Sequence, residues 1–394
     1  MALSERARQL KPSSTLAITA KAKAMRAEGI DVIGFGAGEP DFDTPGHIKS
    51  AAIEAINSGF TKYTDASGMP ELKEAVAAKF KRDNGLDYER SEITIGCGAK
   101  HIIYNIFQVV CDPGDEVLIP SPFWVSYPEQ VRLANGVPKF VETTNFKMSA
   151  ERFEAAITPK TKMLVLNSPC NPTGAVYSKS ELEAIGEVAL RRRIMILSDE
   201  CYEKILYDGN QHHSMASFDG GLKELTFTVN AVSKAYSMTG WRIGYAGGPA
   251  DYIKAVGSIT SQSTSNPCSI SQKAAIAALS GDYTFIEGMI KEFDKRRRTL
   301  AEGLNECLKD DTPLPQGAFY YFPSISSFID KKIQGASVRT ADHLCKIFIE
   351  KARVAVVPGT DFGDSTRIRF SFATSERNIN EGLRRIADCV REAR

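Results

Sequence analysis

Lys162-Met-Leu-Val-Leu-Asn167 and Ile194-Met-Ile-Leu-Ser-Asp199 are two short apolar runs separated by one helical stretch, Ser178-Lys-Ser-Glu181 to Arg193. Both runs are apolar on consecutive residues rather than alternating, as expected for strands buried on both faces. The stretch between them opens with a capping box, in which a serine caps the third helical N–H and a glutamate reaches back. Strand, helix and strand in this order predict a parallel pair joined by a crossover helix. The same texture extends outward. Glu92-Ile-Thr-Ile and Glu116-Val-Leu-Ile-Pro lie upstream, and Leu225-Thr-Phe-Thr-Val and Arg242-Ile-Gly-Tyr-Ala-Gly lie downstream. Pro70-Glu71 opens a helix with Leu72, Val76 and Phe80 on one face, and Gly85 can close it. The fold class is α/β, with a mostly parallel sheet covered by helices.

From about Asp282 the texture changes. A long charged amphipathic helix runs to about Lys309, and Ala318-Phe-Tyr-Tyr-Phe, Val354-Ala-Val-Val-Pro and Arg367-Ile-Arg-Phe-Ser-Phe read as strands of a smaller α+β unit. A helix from Glu376 to Arg394 completes it. The expected organisation is a large domain over 46–284, a small one over 285–394, and an N-terminal arm over 1–45 lying across both. The 49 Lys+Arg against 48 Asp+Glu give a net charge of +1, so no field holds a polyanion and neither nucleic acid nor a membrane surface is expected as a partner. The runs Arg191-Arg192-Arg193 and Lys295-Arg296-Arg297-Arg298 are expected to be solvated helix faces. Eight scattered cysteines without a CxxC pair favour reduced thiols and a cytoplasmic home. The N-terminus lacks the apolar core of a signal peptide, and no run approaches a membrane span.

In an open α/β sheet ligands bind beyond the carboxyl ends of the strands, so the residues just past each strand carry the chemistry. Ser121-Pro-Phe-Trp124, Asn167-Ser-Pro-Cys-Asn171-Pro-Thr-Gly174, Ser198-Asp199-Glu200-Cys-Tyr202 and Asn230-Ala-Val-Ser233-Lys234 close four of them, with Arg242 eight residues on. One sheet edge thus collects an aromatic plate, an amide, an acid, a phenol, a lysine and an arginine. A lysine amine freed of its proton by burial and by neighbouring cations forms a Schiff base with a carbonyl. An acid can keep a heterocyclic nitrogen protonated, while hydroxyl, arginine and backbone N–H groups hold a phosphate. Ring, aldehyde and phosphate on one molecule describe pyridoxal 5′-phosphate.

Gly38-Glu-Pro-Asp-Phe-Asp-Thr-Pro45, Asn171-Pro-Thr-Gly174, Ser198-Asp-Glu-Cys-Tyr202, Ser233-Lys234 and Gly240-Trp-Arg-Ile-Gly244 resemble the motifs of class I/II aminotransferases of fold type I, over essentially the whole chain from about Lys11. The resemblance implies that Lys234 is the Schiff-base lysine and proton carrier, and that Asp199 pairs with the pyridine nitrogen. It implies that Tyr202 and Asn171 bond the ring oxygen, and that Trp124 stacks on the ring and borders the substrate. Ser233, Arg242 and the backbone around Gly98-Ala99-Lys100 would hold the phosphate. Tyr63 would reach the phosphate of a neighbouring subunit in an obligatory homodimer. Arg369 would bind the substrate α-carboxylate as a fork, with the Gly38 backbone nearby.

Within the family the chain most resembles the bacterial subgroup in which a lysine and an N-terminal threonine, here Lys100 and Thr15, read a second carboxylate. Aspartate and glutamate are then the amino donors, with oxaloacetate and 2-oxoglutarate as their keto partners. The same pair resembles that of enzymes acting on prephenate, and this alternative stays open. Ala99 stands where relatives have a second glycine, Ala231 where some place a serine, and Cys170 where Asn is frequent. A β-lyase would share Lys234, Asp199 and Arg369 but not the Lys100 and Thr15 pair. A regulator domain would need an added DNA-binding unit. Gly34-Phe-Gly-Ala-Gly38 is not a dinucleotide fingerprint. His212-His213 is expected to lie in a surface loop with no metal cluster around it.

Overall fold

The computed structural model describes residues 3, 4, 7, 8, 10 and 14–391, without the side chains of 14–16. After the helix Ser14–Ala27 and a short strand β1 (Ile33–Gly34), seven strands build the main sheet. They are β2 (Ile93–Gly96), β3 (Glu116–Ser121), β4 (Val137–Glu142), β5 (Thr161–Asn167), β6 (Met195–Asp199), β7 (Thr226–Ala231) and β8 (Gly244–Gly247). Their order is β2-β8-β7-β6-β5-β3-β4, with β8 antiparallel to both neighbours and the other pairs parallel.

The consecutive apolar residues serve two layers. Val117, Ile119, Val165 and Leu197 pack with Ile103 and Phe107 on one face, while Leu118, Leu164, Leu166 and Ile196 pack with Ile185 and Val188 on the other. The helix Lys179–Arg192 carries the capping box at Ser178 and Glu181, and the helix Pro70–Asn84 ends on Gly85 at φ 67°. Strand β4 was not expected. It is an edge strand in which only Val141 is buried, so its sequence lacks the apolar run that marks its neighbours.

The C-terminal part opens with the helix Thr284–Leu308. It adds β9 (Tyr320–Tyr321), a hairpin of β10 (Lys332–Ile333) and β11 (Ala336–Ser337), β12 (Val354–Ala355), β13 (Val357–Pro358) and β14 (Ile368–Ser371), and closes with the helix Glu376–Val390. β13, β14 and β9 form an antiparallel sheet, and β1 pairs with β12 in parallel, tying the N-terminal segment to this part. Among the described residues no helix is long and apolar enough to cross a membrane.

The two arginine runs differ. Arg191 and Arg192 are exposed and pair with Glu154. In the second run the solvated-face expectation fails, because Arg296 and Arg297 are buried. Arg296 pairs with Asp41 and Glu292, and Arg297 with Asp208 and Asp294, so counter-charges, some of them remote in sequence, take the place of water.

Candidate active site

Strand register brings the functional ends together. Asn167 lies beside Asp199 across β5 and β6, Asp199 beside Val229 across β6 and β7, and Ala231 beside Gly244 across β7 and β8. Gly244 also faces Gly96, and a Cβ there would sit 2.3 Å from the Ala99 nitrogen, so glycine lets the next helix start against the sheet. That helix, Ala99–Val110, has Gly98 at its N-cap with φ 84°. The left-handed residue is therefore Gly98, while Ala99 opens the helix with a negative φ and keeps its N–H available. A side chain at Gly98 would stand 2.3 Å from the Arg242 guanidinium, which rests on this glycine and donates to Cys97 O at 3.2 Å.

These ends enclose a cavity of about 390 Å³. Gly38, Ala99, Lys100, Trp124, Asn171, Asp199, Tyr202, Ser233, Lys234, Arg242 and Arg369 all line it. Gly98 borders it through Arg242. Tyr63 does not belong to this lining and is 89% exposed. The Thr15 side chain lies outside the described residues, although Thr19, one turn further along the same helix, lines the cavity.

Lys234 donates from Nζ to Gly38 O at 2.5 Å. Burial lowers its pKa to about 8, and the nearby Arg369 and Arg242 push the same way. The buried Asp199 carboxylate accepts from Tyr127 OH at 2.7 Å and from the Cys201 N–H at 3.2 Å. Burial raises its pKa, and these two donors work against that rise. Tyr202 and Tyr320 share a hydroxyl hydrogen bond at 2.7 Å. Arg369 is buried, donating to Asn171 Oδ1 at 3.0 Å and to Gly36 O at 2.9 Å. Its guanidinium lies over the Tyr320 ring at 4.5 Å, and its Nε has no partner among the described residues. Lys100 Nζ lies over the Trp124 ring at 5.0 Å, and burial, then Arg242, lowers its pKa. Among the described residues no carboxylate pairs with Lys100 or Arg369.

Sequence reasoning gave no site role to Tyr127, Asn167 and Tyr320, which also line the cavity. Asn167 is the last residue of β5, a position that signals a ligand edge. Tyr127 comes one helical turn after Trp124, and Tyr320 arrives from the small sheet, so neither carries a local signal. The expectation for His212 is corrected as well. Its Nε2 bonds the Glu200 carboxylate at 2.9 Å, and ligand atoms of Glu200, Glu203 and His212 lie within 4.8 Å of one another.

Known proteins resemble this chain in sequence and in fold. The family model described as aminotransferase class I and II matches residues 30–386. An aspartate aminotransferase of Bacillus sp. (strain YM-2) is 50% identical over 98% of both chains. An aspartate/prephenate aminotransferase of Cereibacter sphaeroides is 49% identical over 98% of this chain and 97% of its own. The crystal structure of the Rhizobium meliloti aspartate aminotransferase superposes with a TM-score of 0.96 at 46% identity over the whole of both chains. That of the Thermus thermophilus enzyme with maleate gives 0.93 at 45% over 99% of this chain and 100% of its own. The chain belongs to the class I and II aminotransferases.

Proposed function

We propose that the chain is an aspartate aminotransferase that moves the amino group between L-aspartate and 2-oxoglutarate, giving oxaloacetate and L-glutamate in two half-reactions. Its cofactor is pyridoxal 5′-phosphate. The carrying observation is that two cations, Lys100 and Arg369, face one cavity without an acidic partner among the described residues. A dicarboxylate supplies both missing anions, and the Thermus thermophilus relative was crystallised with one, maleate. The buried Arg369 Nε adds an N–H that a substrate α-carboxylate would satisfy.

The donor set fits the cofactor. Gly98 leaves a cradle under Arg242 that a Cβ would fill; its own N–H is taken by Gly96 O at 2.8 Å, so Arg242, Ser233 and the backbone N–H groups of Ala99 and Lys100 can hold a phosphate. When bound, the coenzyme offers an aldehyde to the amino group and draws electrons from the substrate Cα. Asp199 holds a proton at the ring nitrogen, steadied by Tyr127. Tyr202 and Asn171 would bond the ring oxygen, and Trp124 would cover the ring. Lys234, with an amine partly free at neutral pH, would take the proton from the substrate Cα and return it at the carbon of the coenzyme's aldehyde group. Arg369 orients the α-carboxylate, Gly38 lines its approach, and Lys100 with Thr15 reads the side-chain carboxylate. Tyr63 reaches the phosphate of a second subunit, making the working unit a homodimer. All eight cysteines are free thiols, which supports a cytoplasmic enzyme.

The test is the coenzyme's long-wavelength absorbance band in purified holoenzyme. L-Aspartate alone should remove it and oxaloacetate should restore it. A band that aspartate leaves unchanged sinks the substrate reading and leaves fold and cofactor standing. In Lys100→Ala the loss should fall on dicarboxylates, about 30- to 1,000-fold, as for an ion pair broken on one side at 2–4 kcal/mol. Equal losses for aspartate and an apolar amino acid would remove Lys100 from the reading. Prephenate, tried as acceptor, tests the arogenate-forming alternative.

A further inference from the structure

The segment that carries Asp199 and Tyr202 is held from behind by a second polar cluster, none of whose members lines the cavity. Alternation at the end of β6 sends Ser198 and Glu200 to one side and Asp199 to the other. The buried Glu200 carboxylate accepts from Ser198 Oγ at 2.8 Å, Ser214 Oγ at 2.6 Å, His212 Nε2 at 2.9 Å and Asn84 Nδ2 at 3.3 Å. Buried Glu203, one residue past Tyr202, accepts from Asn84 Nδ2 at 2.7 Å and pairs with the buried ammonium of Lys79. Asn84 Oδ1 in turn accepts from Lys79 at 2.6 Å. The backbone N–H of Glu200 is pinned to Val229 O on β7 at 2.8 Å.

Three of these groups have the spacing of metal ligands. A built-in cation, Lys79, already sits against Glu203, and the Asn84 amide fills the gap between the two carboxylates. The cluster is therefore a hydrogen-bonded anchor, its central space already occupied by protein donors, rather than an ion site. A carboxylate cannot donate, so His212 donates from Nε2, while its buried Nδ1 has no partner among the described residues. The other titratable groups facing His212 are the Glu203 carboxylate and the His213 imidazole, whose pKa burial lowers.

We propose that His212 is a positioning residue for amino transfer: by donating to Glu200 it fixes the strand end from which Asp199 and Tyr202 reach the coenzyme. The proposal rests on the coenzyme reading above. Buried networks of this kind act as units, and loss of one donor is felt at the group the network holds.

The experiment compares wild-type holoenzyme with His212→Ala and His212→Gln, the latter keeping an N–H near the Nε2 position. In His212→Ala, kcat for L-aspartate should fall about tenfold with KM changed less than about twofold. The visible circular-dichroism band of the bound coenzyme should weaken with it. His212→Gln should recover most of both. If His212→Ala keeps wild-type kcat and circular dichroism and only melts earlier, the role is structural and the proposal falls. It falls too if His212→Gln is no better than alanine. Should His212→Ala not fold, Ser214→Ala removes another Glu200 donor and should move kcat and circular dichroism in the same direction; no change in either overturns the proposal. A wild-type protein without a coenzyme band would instead sink the coenzyme reading.

Discussion

Lys234 is where burial is converted into reactivity. An ordinary lysine, near ~10.4, leaves roughly one amine in a few thousand unprotonated at pH 7, whereas one held at about 8 leaves about a tenth. Proton counts fix the sign of the effect on stability. The folded amine loses its proton near 8 and the unfolded one near ~10.4, so across that window the unfolded chain binds more protons. Stability of the coenzyme-free protein accordingly rises with pH there, and the burial cost is fully present below it. Reactivity goes with the free amine. The rate at which coenzyme-free protein captures pyridoxal should climb through about pH 8 and level off above it. A climb centred near 10 would mean that the cavity does not depress this lysine. The sequence announces Lys234 and Asp199 because each sits at the end of a buried strand. It is silent on Tyr127, whose bond to Asp199 depends on a helix turning back over the sheet edge.

Helices and strands repeat this contrast between local and remote causes. The capping box at Ser178 and the glycine stop at Gly85 are legible because cap chemistry is local. Doubly buried strands are legible because both of their faces must be apolar. The edge strand β4 has no such requirement, and Arg242, at φ 56°, cannot begin the strand that its apolar neighbours suggest. The arginine run on the helix Thr284–Leu308 is illegible for a different reason, since its partners Asp41 and Asp208 lie far away in sequence. Arg297 also donates to Pro315 O at 2.6 Å and stacks on Tyr207 at 4.5 Å. Arg297→Met keeps most of the bulk but strips Pro315 O of its side-chain donor and removes one of the two arginines that hold Asp208 and Asp294. The cost should be about 2–3 kcal/mol, read as a lowered urea midpoint. Arg192→Ala, in the exposed run, should cost at most about 0.5 kcal/mol. Equal costs would mean that the buried guanidinium does not hold this helix.

At the scale of the whole molecule, the cavity is formed without Tyr63, the residue assigned to a neighbouring phosphate. An aromatic ring left 89% exposed, with Ile53 and Ile56 on the helix Gly46–Asn57 more than half exposed, leaves apolar surface that a second copy can cover. Sedimentation of the holoenzyme should therefore give twice the chain mass of 43.1 kDa. Mass alone does not say which subunit's tyrosine serves which site, but subunit mixing does. Lys234→Ala homodimers lack the reactive amine. Tyr63→Phe homodimers lack one hydrogen bond to a charged group, worth about 1.5–3 kcal/mol, and should bind coenzyme roughly tenfold or more weakly. In a hybrid of the two, the subunit that keeps Lys234 receives an intact tyrosine only if its phosphate is served by the partner subunit's Tyr63. That single site should then bind coenzyme with wild-type affinity, and the hybrid should show about half the activity of the wild-type dimer. A tyrosine serving its own subunit would leave the same site with phenylalanine, and affinity in the hybrid would stay at the weakened value. Restored affinity in the hybrid makes the active site a property of the pair, and unrestored affinity makes each chain sufficient for its own.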